Sequence, residues 1–149
     1  MFSPDQFLDM QIEGSNDTEI VPVPVGEYTA VADDVKVRQW QAKDDPSKSG
    51  LALDLVWNID DAGVREVLGR EKVTVKQGIM LDLTESGGLD MGKGRNVALG
   101  RLREALGLNE PGQPFAFSMI PGRIAKVSVK HRMYEDSIFA EVKGVAKLA

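Results

Sequence analysis

From Gly26 onward, apolar and polar residues alternate in short runs, the period-2 signature of half-buried strands. In Tyr28 to Trp40 the odd positions Thr29, Val31, Val35 and Val37 suit a core face, and Lys36, Arg38 and Trp40 fall opposite. Asp33-Asp34 interrupts this run and reads as a bulge. After the turn formers of Lys43-Asp44-Asp45-Pro46-Ser47-Lys48-Ser49-Gly50, Leu51, Leu53, Leu55, Trp57 and Ile59 alternate with Ala52, Asp54, Val56 and Asn58. This second strand ends at an Asp60-Asp61-Ala62-Gly63 turn. A third runs from about Glu71 to Thr84, with Val73 and Val75 inward, Lys72, Thr74 and Lys76 outward, and a bend at Gly78.

Beyond the glycine-rich stretch from Ser86 to Gly94, the period changes. Ala98, Leu99, Leu102, Ala105 and Leu106 recur at steps of three and four, predicting a helix from Arg95 to about Leu106, with Gly107 at the C-terminal cap. A strand near Ala116 to Met119, a Pro121-Gly122 turn and a closing hairpin complete the chain. With Met133-Tyr134-Glu135-Asp136 as a four-residue loop, Arg132 lies opposite Ser137. Val127 then faces Val142, Val129 faces Ala140 and His131 faces Ile138 on an apolar side. Lys126 faces Lys143, Ser128 faces Glu141 and Lys130 faces Phe139 on a basic side. Three strands, a helix and two strands predict a mainly β fold: a five-stranded antiparallel OB-fold barrel with one helix between the third and fourth strands.

The first 24 residues differ from the rest. They are polar and acidic, Val21-Pro22-Val23-Pro24 favours an extended path, and Phe7, Leu8 and Met10 suit a short helix. This predicts an acidic arm, 1–24, ahead of one domain, 25–149. The formal charge of −5 argues against a nucleic-acid partner, but it is unevenly distributed. Residues 1–34 hold eight carboxylates and no base, so residues 35–149 hold 15 acids against 18 bases. The N-terminus lacks a basic and apolar leader, and no run approaches the roughly 20 apolar residues of a membrane span. A soluble, cytoplasmic protein is expected.

Little catalytic vocabulary is present. There is no cysteine, and His131 is the single imidazole, placed on the inward side of the hairpin, where packing or loop bonding accounts for it. Asp33-Asp34, Asp44-Asp45 and Asp60-Asp61 sit in turns or bulges and read as solvated turn residues. Gly87-Gly88-Leu89-Asp90-Met91-Gly92-Lys93-Gly94 approaches the phosphate-binding G-x-x-x-x-G-K-[ST] loop, but Gly94 stands where the Mg²⁺-ligating hydroxyl belongs. A nucleotide hydrolase is thus a minor alternative; a weaker use has Lys93, Arg95 and free amides holding a nucleic-acid phosphate. Neither a metal nor a cofactor is expected.

Cations and rings make the stronger case. Lys36, Arg38 and Trp40 share one strand face, Lys72 and Lys76 another, and Lys126, Lys130, Arg132 and Phe139 the outer side of the hairpin, with Tyr134 at its loop. Single-stranded nucleic acid is held by this combination, because cations track phosphates and flat rings stack on bases. An ordinary solvated surface diluted by Asp54 and Glu141 is the competing reading. Trp57 shares parity with Leu53 and Leu55, which assigns it to the core.

The segment from Val23 to Leu148 resembles the small single-stranded DNA-binding proteins of tailed bacteriophages. The likeness rests on Val23-Pro24-Val25-Gly26-Glu27-Tyr28, the strand pattern Leu51 to Asn58, the helix Asn96 to Gly107 and the closing hairpin. It implies an OB-fold that coats single-stranded DNA with little sequence preference during phage replication or recombination, in the bacterial host cytoplasm. The implied partners are single-stranded DNA and replication or recombination proteins of phage or host. Exposed barrel edges also allow a homodimer. One departure is the ending Val142 to Ala149, which carries two lysines where many replication-type binders have an acidic tail. The acidic arm is then the segment left to recruit partners or compete with DNA. The alternative is a β-barrel protein-interaction module, virion or accessory, that binds no nucleic acid.

Overall fold

The computed structural model describes residues 3–18 and 20–148. The elements in chain order are α1 (Pro4–Leu8), β1 (Gly26–Gln41), β2 (Ser49–Ile59), α2 (Ala62–Leu68), β3 (Thr74–Met80), α3 (Val97–Ala105), a 3₁₀ turn (Phe117–Met119), β4 (Ile124–Tyr134) and β5 (Ser137–Ala146). Neighbouring strands follow the order β1-β2-β3-β5-β4, and β4 pairs back onto β1, so one five-stranded sheet closes in a ring. The fold is mainly β, as expected. The sheet is mixed and not antiparallel throughout, because β3 and β5 run parallel where Lys76 meets Glu141.

Alternation in β2 places Leu53, Leu55, Trp57 and Ile59 inside, each no more than 1% exposed. Val127 and Val129 of β4 meet them, and Leu99 and Leu102 of α3 join the same cluster. Each such side chain contributes about 1.5–3 kcal/mol on burial, so this interior supplies the main driving force. The buried Trp57 indole donates to Gln77 Oε1 at 2.9 Å, which removes the cost of hiding its N–H.

The parity expected for β1 holds only after the bulge. The register shifts between Ala32 and Asp34, and this extra residue exchanges the two faces. Ahead of it Ala30 and Ala32 are buried, in place of Thr29 and Val31; beyond it Val35 is half-buried, while Val37 is 48% exposed. Lys36, Arg38 and Trp40 do lie on the outer side. β3 is shorter than expected, so Lys72 precedes it, and Gly78 pairs with Asp54 without a register break. Ala116 to Met119 is not a strand, since Phe117–Met119 forms the 3₁₀ turn.

An unexpected helix, α2, replaces the simple turn at residues 60–63. Asp61 caps it by accepting from the Val64 N–H at 3.0 Å, and Gly69 ends it in the left-handed region at φ 65°. Both signals are ordinary, but the helix buries only Val64 and shows little periodicity. α3 spans Val97–Ala105, inside its expected range, and Gly107 follows its cap at φ 72°.

The closing hairpin turns over two residues and not four: Tyr134 pairs with Ser137 around Glu135 (φ 48°) and Asp136 (φ 65°). His131 therefore faces Ala140, Lys130 faces Glu141 and Arg132 faces Phe139, two residues from the expected register. An even shift keeps Lys130, Arg132 and Phe139 on one face and Val129, His131 and Ala140 on the other, but at this end of the hairpin the face expected to turn inward is open, with His131 and Ile138 exposed. Further along, a bulge at Lys143 adds one residue, so Lys126 faces Ala146 and Val127 faces Val145. Two consecutive positive φ angles usually demand Asn-Gly, and Glu-Asp carries no such signal. Replacing Glu135-Asp136 by Asn-Gly is expected to stabilise the fold by about 1 kcal/mol, read as a higher urea midpoint at unchanged slope.

Candidate nucleic-acid interface

The outer face of the sheet is ordered by cross-strand rungs. Trp40 lies beside Gly50, Arg38 beside Ala52, and Lys36 beside Asp54, with Met80 and Gly78 continuing the last two rungs onto β3. Lys76 lies beside Val56 on one side and Glu141 on the other, and Glu141 is paired in turn with Lys130. One wall thus carries Lys36, Arg38 and Trp40, and another gathers Lys76, Lys130, Arg132 and Phe139 around Glu141. The Trp40 and Phe139 rungs are about eight residues apart along the strands, or about 25 Å. They form two separate groups and not one cluster. Lys126 lies further along β4, opposite Thr29.

Carboxylates accompany most of these cations. Arg38 Nε donates to Asp54 Oδ2 at 2.7 Å, and that hydrogen bond, followed by the Asp54 charge, raises the guanidinium above its ordinary value. Lys72 Nζ lies 2.7 Å from Asp33, and Lys36 Nζ lies 3.7 Å from Asp34. Glu141 serves both Lys130, at 3.4 Å, and Arg132, at 3.5 Å. Among the described residues, only Lys76 and Lys126 of the seven expected cations have no ion-pair partner. Lys72 is also set apart, against the β1 bulge.

These contacts are solvent-exposed and individually weak, so a phosphate can displace a carboxylate from them. Glu141→Gln frees Lys130 and Arg132 together. It is expected to tighten oligo-dT binding at low salt and steepen the log–log salt slope by about 0.7 for each phosphate gained.

The three rings occupy different settings. Tyr134 and Phe139 are 55% and 47% exposed near the hairpin tip. Trp40 is half-buried, and its ring lies on the Gly50 backbone: a Cβ there would sit 3.0 Å from Trp40 Cζ2 and Nε1. A cleft of about 300 Å³ adjoins it, lined among others by Leu81, Asp82, Asp90 and Arg95. Among the described residues, Trp40 Nε1 is the buried side-chain nitrogen without a hydrogen-bond partner. An acceptor reaching it would therefore repay an uncompensated donor. Sequence pattern singled out Trp40 but missed Gly50, whose bare Cα is what seats the ring.

The glycine-rich stretch behind this cleft is tied to itself. Gly88 N–H donates to Thr84 Oγ1, Gly92 N–H to Asp90 Oδ1 and Asn96 N–H to Asp82 Oδ2. Gly87 and Arg95 amides donate to the Thr84 and Gly92 carbonyls. A phosphate-cradling loop needs such amides free, so these five do not form one. His131 Nε2 contacts the Val23 carbonyl at 2.7 Å, which gives it a tethering role at the root of the arm. The aspartate pairs are likewise used locally, Asp61 as a helix cap and Asp45 as acceptor from Ser47.

Among the described residues no helix is long and apolar enough to cross a membrane. Comparison with protein-family models and with curated proteins returns no match, so the likeness noted in the sequence stands on its own residues.

Proposed function

We propose that the chain coats single-stranded DNA with little sequence preference, as a phage-type replication or recombination protein with an OB-fold. The observation that carries this reading is the strand order β1-β2-β3-β5-β4 with α3 between β3 and β4, combined with outward cations and rings. OB-folds bind oligonucleotides on the face of their second and third strands and in the loops joining strands 1 to 2 and 4 to 5. Here the first loop carries Lys43 and Lys48 next to Trp40, and the second lies between Tyr134 and Ser137. Phosphates are met by Lys36, Arg38, Lys76, Lys126, Lys130 and Arg132, with Lys72 at the margin; Trp40, Tyr134 and Phe139 stack on bases. Nothing in this function requires a catalytic group.

The carboxylate pairing of five cations favours a second reading, a protein-interaction module that binds no nucleic acid. The two readings separate in one gel-shift experiment with a labelled oligo-dT and a duplex of equal length. Single-strand coating gives a complex with the oligonucleotide that weakens with salt and a much weaker one with the duplex. The interaction module gives neither.

A further inference from the structure

β5 meets β3 only at Lys76 and Glu141, so Ser137 to Ala140 have no strand partner on the side away from β4 among the described residues. At this seam the sheet opens into an apolar groove of about 480 Å³ between the start of β3 and the start of β5. Val73, Leu68, Met133 and Ile138 contribute to its lining, and Arg70, with no ion-pair partner among the described residues, is its one cation; Asp136 is its one carboxylate. A free strand edge over an apolar groove is the arrangement that accepts an added strand.

The arm contains a segment of matching pattern. Leu8, Met10 and Ile12 alternate with Asp9, Gln11 and Glu13, which is strand periodicity, yet 9–13 lie in no strand. Leu8, Met10 and Ile12 are 84%, 50% and 77% exposed, and α1, which ends at Leu8, buries none of its residues. We propose that residues 8–13 of a second copy of this chain add as a strand to the free β5 edge. Their apolar side chains enter the groove, and Asp9, Gln11 and Glu13 face solvent. The donor is a second copy because, in the single chain, Thr18 and residues 20–23 already form a wall of the groove, while Leu8, Met10 and Ile12 stay uncovered. About 15 residues separate Leu8 from Val23, enough to span up to about 50 Å to a neighbour. Reciprocal exchange closes a dimer, and one-way donation builds a chain of subunits. Phe139, which also belongs to the outward ring set, lines this groove, so arm exchange and base stacking meet at one side chain.

The chain has no cysteine, so Ile12→Cys with Ser137→Cys introduces the only pair. Mild oxidation of the full-length double variant is expected to give covalent dimers or longer species on a non-reducing gel. A disulfide confined within one chain overturns the proposal. Light scattering across protein concentration supplies the second measurement: the unmodified chain self-associates, and Met10→Asp with Ile12→Asp weakens this at least about 10-fold. Because both arm positions are exposed, the loss does not reflect unfolding. A chain that stays monomeric up to about 1 mM, or arm variants that associate like the unmodified protein, would refute arm exchange.

Discussion

Trp57→Ala is expected to cost about 3–5 kcal/mol, enough to unfold much of the protein at moderate temperature. The indole lies toward the end of β2 with no exposed surface, packed among the side chains lining the ring, and the space it leaves cannot be filled by neighbours held in paired strands. Its N–H is also the partner of Gln77, so the truncation strands a polar oxygen beside a cavity. Trp57→Phe separates these terms. It retains most of the ring volume and loses the hydrogen bond, for a cost of about 1–2 kcal/mol. Urea unfolding followed by circular dichroism measures both; an alanine variant as stable as the parent would mean that the interior is not organised around this residue.

Trp40→Ala is expected to leave folding nearly intact and weaken oligo-dT binding by about 1–3 kcal/mol, roughly 5- to 150-fold. Trp40 sits at the end of β1 with one part of its ring on Gly50 and another beside the cleft that includes Arg95. Stacking needs the ring held in place, and Gly50 provides the seat. Gly50→Ala forces the indole to move, and is therefore expected to reproduce part of the binding defect without removing an aromatic group. Trp40→Phe keeps a smaller stacking surface, so binding between the parent and alanine values is expected. Equal affinity of all four proteins would remove Trp40 from the interface.

Much of the closed sheet was legible because β2 is regular. Its alternation from Leu51 to Ile59 runs without a bulge, so Trp57 was correctly placed in the core. β1 is less legible: Asp33-Asp34 reads as a bulge, but the parity change it imposes moves the core from Thr29 and Val31 to Ala30 and Ala32. The hairpin departs differently. Its register differs by two from the expected one because Glu135-Asp136 has no tight-turn signature, and an even difference keeps Lys130, Arg132 and Phe139 outside.

Ion pairing was the least legible feature, since it depends on neighbours brought together by register. Asp33 and Asp34 were counted with the acidic N-terminal region, yet they belong to β1 and neutralise Lys72 and Lys36. Counted from Gly26, where β1 begins, three carboxylates rejoin the 15 and give 18 against 18 bases. The folded body is charge-balanced, so the proposed function rests on local groups of cations and on ring stacking and not on a general positive field.

Tryptophan fluorescence during oligo-dT titration at two salt concentrations tests the central claim most directly. Trp57 is shielded, so quenching on binding reports Trp40. The proposed function predicts saturable quenching at low salt, a log–log slope of about −0.7 per phosphate neutralised, and loss of the signal in Trp40→Ala. Absence of both quenching and a complex at low salt would contradict single-strand binding.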